Sequence, residues 1–184
     1  MITNSDDLPI RIVMNIIVKT PEEFDDVQLQ DFESFVLAGG EVSAIGLSQR
    51  IHDAEFLVML YLDSCLAGIG AVKNPSLSYR RSVSDKAKIL LDPTTFPYEI
   101  GWIFVLPSAR RRGISRTIVD AAITSVKGMG IFSTSRTNNI PMHRSLEHFG
   151  FIRKGQVYTS NRGKHQLQLF TLTLDTSTSI AYNL

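Results

Sequence analysis

Two rhythms of apolar and polar positions organise this chain. Residues 10–18 (IRIVMNIIV) are dense in β-branched residues and predict a first strand. Thr20-Pro21-Glu22-Glu23 reads as a helix start: a capping threonine, proline at the first helical position and glutamate three residues after the cap. Phe24, Val27, Phe32, Phe35 and Val36 continue at helical spacing until Gly39-Gly40. A second, shorter helix is predicted from Val42 to about Asp53. FLVMLYL (56–62) and LAGIGAV (66–72), parted by Asp63-Ser64-Cys65, predict a hairpin of buried strands. Residues 73–97 carry three prolines and a helical stretch near 82–91, and read as an excursion over the sheet. YEIGWIFV (98–105) is the next strand. Ile114, Ile118, Val119, Ala122, Ile123 and Val126 then form an apolar stripe at helical spacing, stopped by Gly128 and Gly130. A short strand (131–134) leads to a helix with Pro141 near its start and Met142, Leu146 and Phe149 on one face. FIRKGQVY and HQLQLFTLTL predict a closing strand pair, and residues 176–184 read as a flexible tail. The order β-α-α-β-β-(α)-β-α-β-α-β-β, with no internal repeat, predicts one α/β domain over 1–184 built on a mixed sheet.

Composition narrows the field without choosing within it. At 184 residues the chain can build one sizeable core, and 43% hydrophobic with 20% charged residues describes an ordinary globular domain. Nineteen basic against 18 acidic residues give no general case for a nucleic-acid or membrane partner. The N-terminus, MITNSDDLPI, has acids where a secretory signal would be basic, and no stretch approaches the roughly 20 apolar residues of a membrane span. A single cysteine, Cys65, excludes an internal disulfide framework and suits a reducing compartment, so a cytoplasmic location is expected. His143 and His148, five apart on a helix, lie on different faces; no histidine pair has a zinc spacing, and no metal is predicted.

Any basic function must be local, and residues 110–116 (RRRGISR) hold four arginines in seven positions. They follow a strand and precede a helix. A strand end, a glycine that lets the main chain approach closely, and a helix N-terminus whose free N–H groups and dipole face outward together make an anion site. Val105, Gly113 and Ile114 supply the three in order, and Arg110, Arg111, Arg112 and Arg116 add charges suited to phosphate oxygens. Neither GxxxxGK[ST] nor the three-glycine dinucleotide fingerprint is present. A solvated arginine cluster capping a helix is the competing reading.

Arg110-Arg111-Arg112-Gly113-Ile114-Ser115 resembles the acyl-CoA pyrophosphate loop of the GNAT N-acetyltransferase superfamily, (Q/R)-x-x-G-x-(G/A), and follows Val105-Leu106-Pro107 as that loop follows V-x-P. Asn139, Met142 and Leu-Glu-His-Phe-Gly-Phe at 146–151 resemble the superfamily's N-x-x-A…Y-E-K-x-G-F segment. The resemblance covers about residues 98–175, which it marks as the CoA-binding half. It implies a mixed sheet of six to seven strands, splayed between the fourth and fifth, with acetyl-CoA in the splay. The thioester and pantetheine would then meet main-chain groups around Ile103 and Val105. The pyrophosphate would sit on the N–H groups of residues 111–116, Ile114 and Ser115 among them, and Asn139 would meet the pantetheine arm. Asn139 reads equally as a helix N-cap beside Pro141.

Amine acylation needs a base to free the amine. Glu99 lies six residues before Val105, the spacing of the glutamate base in histone-type members. Period-two alternation puts Glu99, Gly101, Ile103 and Val105 on one strand face, and Trp102 away from them in the core. A carboxylate in such an apolar setting is expected to have a raised pKa. A strand-end glutamate in a salt bridge is the alternative. The tyrosine that often protonates the leaving thiolate in this superfamily is replaced by Leu146, which leaves Ser145, His143 and Tyr158 as candidate donors, Ser145 being taken as the catalytic one. Arg136 could meet an anionic group, and Lys73, Tyr79, Arg80 and Arg81 could line an acceptor pocket. The resemblance thus implies an acetyl-CoA-dependent N-acetyltransferase acting by direct attack in a ternary complex on a small-molecule or peptide amine, with a homodimer compatible. A non-catalytic acyl-CoA-binding module and a nucleic-acid- or tRNA-directed acetyltransferase are the alternatives, the near-neutral charge counting against the last.

Overall fold

The computed structural model describes residues 12–161 and 163–173; the expected 176–184 tail and the start of the predicted first strand lie outside them. Seven strands form one sheet: β1 (Met14–Lys19), β2 (Phe56–Leu62), β3 (Cys65–Lys73), β4 (Tyr98–Val105), β5 (Ile131–Arg136), β6 (Ile152–Thr159) and β7 (Gln166–Leu172), in the order β1-β2-β3-β4-β5-β7-β6. All neighbours are antiparallel except β4 and β5. That parallel pair is joined only at Tyr98–Ile131 and Glu99–Phe132, so the two strands part beyond Glu99.

Among the described residues, five helices cover the sheet: α1 (Asp26–Ala38), α2 (Leu47–His52), α3 (Leu77–Ala87), α4 (Ile114–Ser125) and α5 (Ile140–His148). α4 and α5 bury Ile114, Ile118, Val119, Ala122 and Leu146 against one face, with Val58, Leu60, Ile100 and Phe170. α1 and α2 bury Phe32, Val36, Leu47 and Ile51 on the other face against Leu57, Met59 and Ile69. α3 adds Val83 and Ala87 there, against Phe132 and Leu169.

The helix starts differ from the sequence pattern. The Thr20 capping box forms, with Glu23 Oε2 accepting from the Thr20 N–H at 3.0 Å, but it closes a single 3₁₀ turn, Pro21–Glu23. Phe24 is extended, which turns its ring into the core, and a second box begins α1, with Asp25 accepting from the Gln28 N–H at 2.8 Å. α2 starts at Leu47 because Gly46 is left-handed at φ 64°. α3 lies about five residues earlier than the 82–91 reading: Ser76 caps it by accepting from the Tyr79 N–H, and left-handed Lys88 ends it.

β4 carries one irregularity that matters for the site. Ala71 pairs with Gly101 and Ile69 with Phe104, so two residues of β4, Trp102 and Ile103, stand against Gly70 alone. Trp102 has φ 53°, and this β-bulge reverses the alternation after Gly101. Ile103 and Val105 therefore join the α4 side, while Trp102 and Phe104 pack on the α1 side, Trp102 edge-on to Phe32 at 6.4 Å. The expected shared face of Glu99, Gly101, Ile103 and Val105 is thus corrected: Trp102, not Ile103, follows Gly101 on the face of Glu99. Gly70 is required opposite, since a Cβ there would fall 2.4 Å from Ile118 Cγ2.

Candidate active site

Parting β4 from β5 opens a cleft of about 1700 Å³ that runs from the N-terminus of α4 to the space between α1 and α3. Beyond Glu99, β4 pairs with β3 on one side and makes no ladder with β5 on the other, so part of its main chain is left to bond an inserted chain. Ile103 and Val105 both line the cleft. The Val105 carbonyl already accepts from Arg110 Nε at 3.1 Å, which leaves Ile103 as the freer of the two.

The loop before α4 leaves a run of main-chain N–H groups without backbone partners among the described residues. Arg111 (φ 65°) and Gly113 (φ 80°) are both left-handed, and Gly113 caps α4 without any side-chain hydrogen bond. Among the described residues, the main-chain N–H groups of Arg111, Arg112, Gly113, Ile114 and Ser115 make no backbone hydrogen bond; the first turn closes only with the Arg116 and Thr117 N–H groups on the Gly113 carbonyl. A Cβ on Gly113 would meet nothing within 4 Å, so the glycine opens onto free space. Arg110, Arg111, Gly113, Ile114, Ser115 and Arg116 line the cleft, as does Arg144 of α5, whereas exposed Arg112 is not on its wall. The Ile114 side chain is buried in the core, so its contribution to the cleft is main-chain.

α5 closes the opposite wall. Asn139 Oδ1 accepts from the Met142 N–H at 3.3 Å as the helix cap, yet Asn139 also lines the cleft, and its amide nitrogen has no partner among the described residues. Both readings of Asn139 are therefore compatible. Ser145 is buried on the cleft wall, donates to the Pro141 carbonyl at 3.1 Å, and stands 3.5 Å from the Ser115 hydroxyl. His143 lies off the cleft, packed on Phe170 with Nε2 2.9 Å from the Arg136 carbonyl, and so leaves the set of candidate donors.

At the far end stands Glu99, 3% exposed. Its Oε2 is 2.8 Å from Lys73 Nζ, and its Oε1 accepts from the Tyr79 hydroxyl at 2.9 Å and the Thr134 hydroxyl at 3.3 Å. Glu99, Lys73, Tyr79, Trp102 and Thr134 all line the cleft. The salt-bridge reading of Glu99 is met without removing the carboxylate from the cleft wall. Tyr79 is 37% exposed as a whole residue, but its hydroxyl is turned into this cluster. Desolvation there, reinforced by the Glu99 charge, holds its pKa well above the ordinary tyrosine value. The Tyr158 hydroxyl is buried on the same wall without a partner among the described residues, and desolvation followed by the Glu99 charge raises its pKa as well.

Arg80 and Arg81 do not line the cleft. Arg80 is buried, donates to the Phe96 and Pro97 carbonyls at 2.6 and 2.9 Å and lies over Phe132, so it fixes the approach to β4. Arg136 pairs with Glu41 at 2.8 Å, joining the end of β5 to the loop after α1. Glu41 and Thr134 escaped the sequence reading: nothing in their local pattern marks them, and the sheet order brings Thr134 to the cleft while the packing of α1 brings Glu41. Among the described residues there is no group of three or more potential metal ligands, and no helix is long and apolar enough to cross a membrane.

A search of curated proteins gives no match. Solved structures match at fold level. The ribosomal-protein-S18-alanine N-acetyltransferase from Escherichia coli superposes with a TM-score of 0.62 at 12% identity, over 92% of this chain and 100% of that one. The Salmonella typhimurium protein yncA with its cofactor acetyl-CoA gives 0.59 at 12% identity, over 88% and 95%. Arabidopsis thaliana NAA60 in complex with a bisubstrate analogue gives 0.59 at 16% identity, over 86% and 97%. The profile of the acetyltransferase (GNAT) family matches residues 18–151. With that match over most of its length and the parted β4 and β5 in place, this chain belongs to the acetyltransferase (GNAT) family.

Proposed function

We propose that this protein transfers an acetyl group from acetyl-CoA to a primary amine by direct attack within one ternary complex, with Glu99 as the base. The observation that carries the reading is the single cleft that holds, at one end, the unpaired N–H groups before α4 and, at the other, the Glu99 carboxylate. Acetyl-CoA supplies the electrophilic thioester carbonyl. The N–H groups of residues 111–115 and the dipole of α4 bind the pyrophosphate, with Arg111 and Arg116 adding charge. The unpaired side of β4 near Ile103 and the Asn139 amide meet the pantetheine arm, whose amides suit a strand edge. Arg112 is left out, since it is off the wall.

On the acceptor side Glu99 draws the proton from the incoming ammonium, directly or through water. Tyr79 and Thr134 donate to Oε1 and fix the carboxylate's orientation. Tyr158, whose buried hydroxyl is protonated at neutral pH, is the donor on this wall that has no other partner among the described residues. Ser145, already engaged with the Pro141 carbonyl, holds α5 to α4 and is the weaker candidate for the leaving thiolate.

The test is release of free thiol from acetyl-CoA against a panel of amines: a peptide N-terminus, a lysine peptide, a polyamine and an aminoacyl-tRNA. Acceptor-dependent thiol release with at least one of them is expected. Silence across the panel, with acetyl-CoA still bound, would contradict turnover and favour a binding module.

A further inference from the structure

Lys73 holds a primary amine against the carboxylate proposed as the base. It ends β3 directly opposite Glu99 in the β3–β4 register. Gly101 gives it room: a Cβ there would lie 2.7 Å from both Lys73 Cε and Nζ, so the lysine chain lies flat along β4, just before the bulge. Its ammonium is 2.8 Å from Glu99 Oε2, 5.3 Å from the Trp102 ring and 6.0 Å from the Tyr79 ring. These are the contacts expected for a bound primary ammonium: a carboxylate and two aromatic faces. The side chain is 19% exposed and lines the same cleft as Ile103 and the loop before α4.

We propose that Lys73 is itself an acyl acceptor, so that the protein acetylates its own Lys73 within one molecule. The inference rests on the acetyl-CoA reading above. Glu99 takes a proton from the Lys73 ammonium, and the freed Nζ forms a bond to the acetyl carbonyl carbon. The carbon–sulfur bond of the thioester breaks, and CoA leaves as a thiolate that takes up a proton. The products are Nζ-acetyl-lysine, CoA thiol and one released proton. Acetylation removes the cation from Glu99 and leaves the carboxylate with Tyr79 and Thr134 as its partners.

The experiment is peptide mapping by mass spectrometry after the full chain is incubated with trideuterioacetyl-CoA, with binding of that probe measured calorimetrically on the same sample. The label is expected on Lys73 about tenfold or more faster than on exposed Lys88 and Lys127, because the amine is already positioned. The rate constant is expected to be independent of protein concentration, and Glu99→Gln should slow the label at Lys73 but not at Lys127. Bound probe with Lys73 unlabelled, or labelled no faster than Lys127, overturns the inference and leaves the cofactor reading standing. A rate that rises with protein concentration overturns the intramolecular route. Failure of the probe to bind overturns the proposed function, and this inference with it.

Discussion

Glu99 is a buried carboxylate on the cleft wall. It stands on a strand and is held by Lys73, Tyr79 and Thr134, each from a different element. Replacing it with Gln keeps the shape and removes the proton acceptor. Glu99→Gln is expected to lower turnover at neutral pH by about 10²–10⁴-fold with acetyl-CoA affinity near that of the native protein; an unchanged rate in the thiol assay would contradict the base assignment. Tyr79 and Tyr158 make a second, independent statement at this scale. Burial raises both above the ordinary tyrosine value of 10.0, so in the unfolded chain they ionise at lower pH than in the folded one. Their contribution to stability is fully present below pH 10 and is lost as the pH rises from there toward the folded values. Urea unfolding should therefore show a falling midpoint above pH 10, and the fall should be shallower in Tyr79→Phe/Tyr158→Phe. An identical slope in the double variant would count against the buried hydroxyls.

The elements differ in how openly the sequence declares them. β2, β3, β4 and α4 are set by long apolar runs or by a stripe with one period, and their observed limits sit close to the predicted ones. α3 is harder, since only Val83, Ala87 and the Arg80 stem are buried on it, so its position rests on the Ser76 cap and not on periodicity. The reversed face of β4 cannot be read from β4 at all. A bulge is a register between two strands, and the alternation Glu99, Gly101, Ile103 is correct only for a strand paired evenly throughout. The strand–glycine–helix arrangement before α4 was legible because its parts are contiguous. The Lys73, Thr134 and Glu41 contacts were not, because each joins elements far apart in the chain. The bulge also yields a prediction: Gly70→Ala places a Cβ against Ile118 Cγ2 in a fully buried layer. It should destabilise by about 1–3 kcal/mol, read as a lowered denaturation midpoint, and an unchanged midpoint would show that α4 can retreat from the bulge.

For the molecule as a whole, the sheet does one mechanical thing: it pairs β4 with β5 at a single end and lets them part. That makes one cleft with an electropositive, N–H-rich end at α4 and an ion-paired, aromatic end beneath α3, in a chain whose formal net charge is only +1. The central claim is that the main chain around Gly113, and not the neighbouring arginines, recognises the phosphates of acetyl-CoA. Titration calorimetry of acetyl-CoA on Gly113→Glu, Arg111→Ala and Arg116→Ala, each checked for a native-like far-ultraviolet spectrum, tests it most directly. Gly113→Glu is expected to abolish binding, because it adds a carboxylate and a side chain at a left-handed position beside the free N–H groups, while each arginine variant is expected to weaken binding by about tenfold. Equal losses from all three variants, or native affinity in Gly113→Glu, would contradict it.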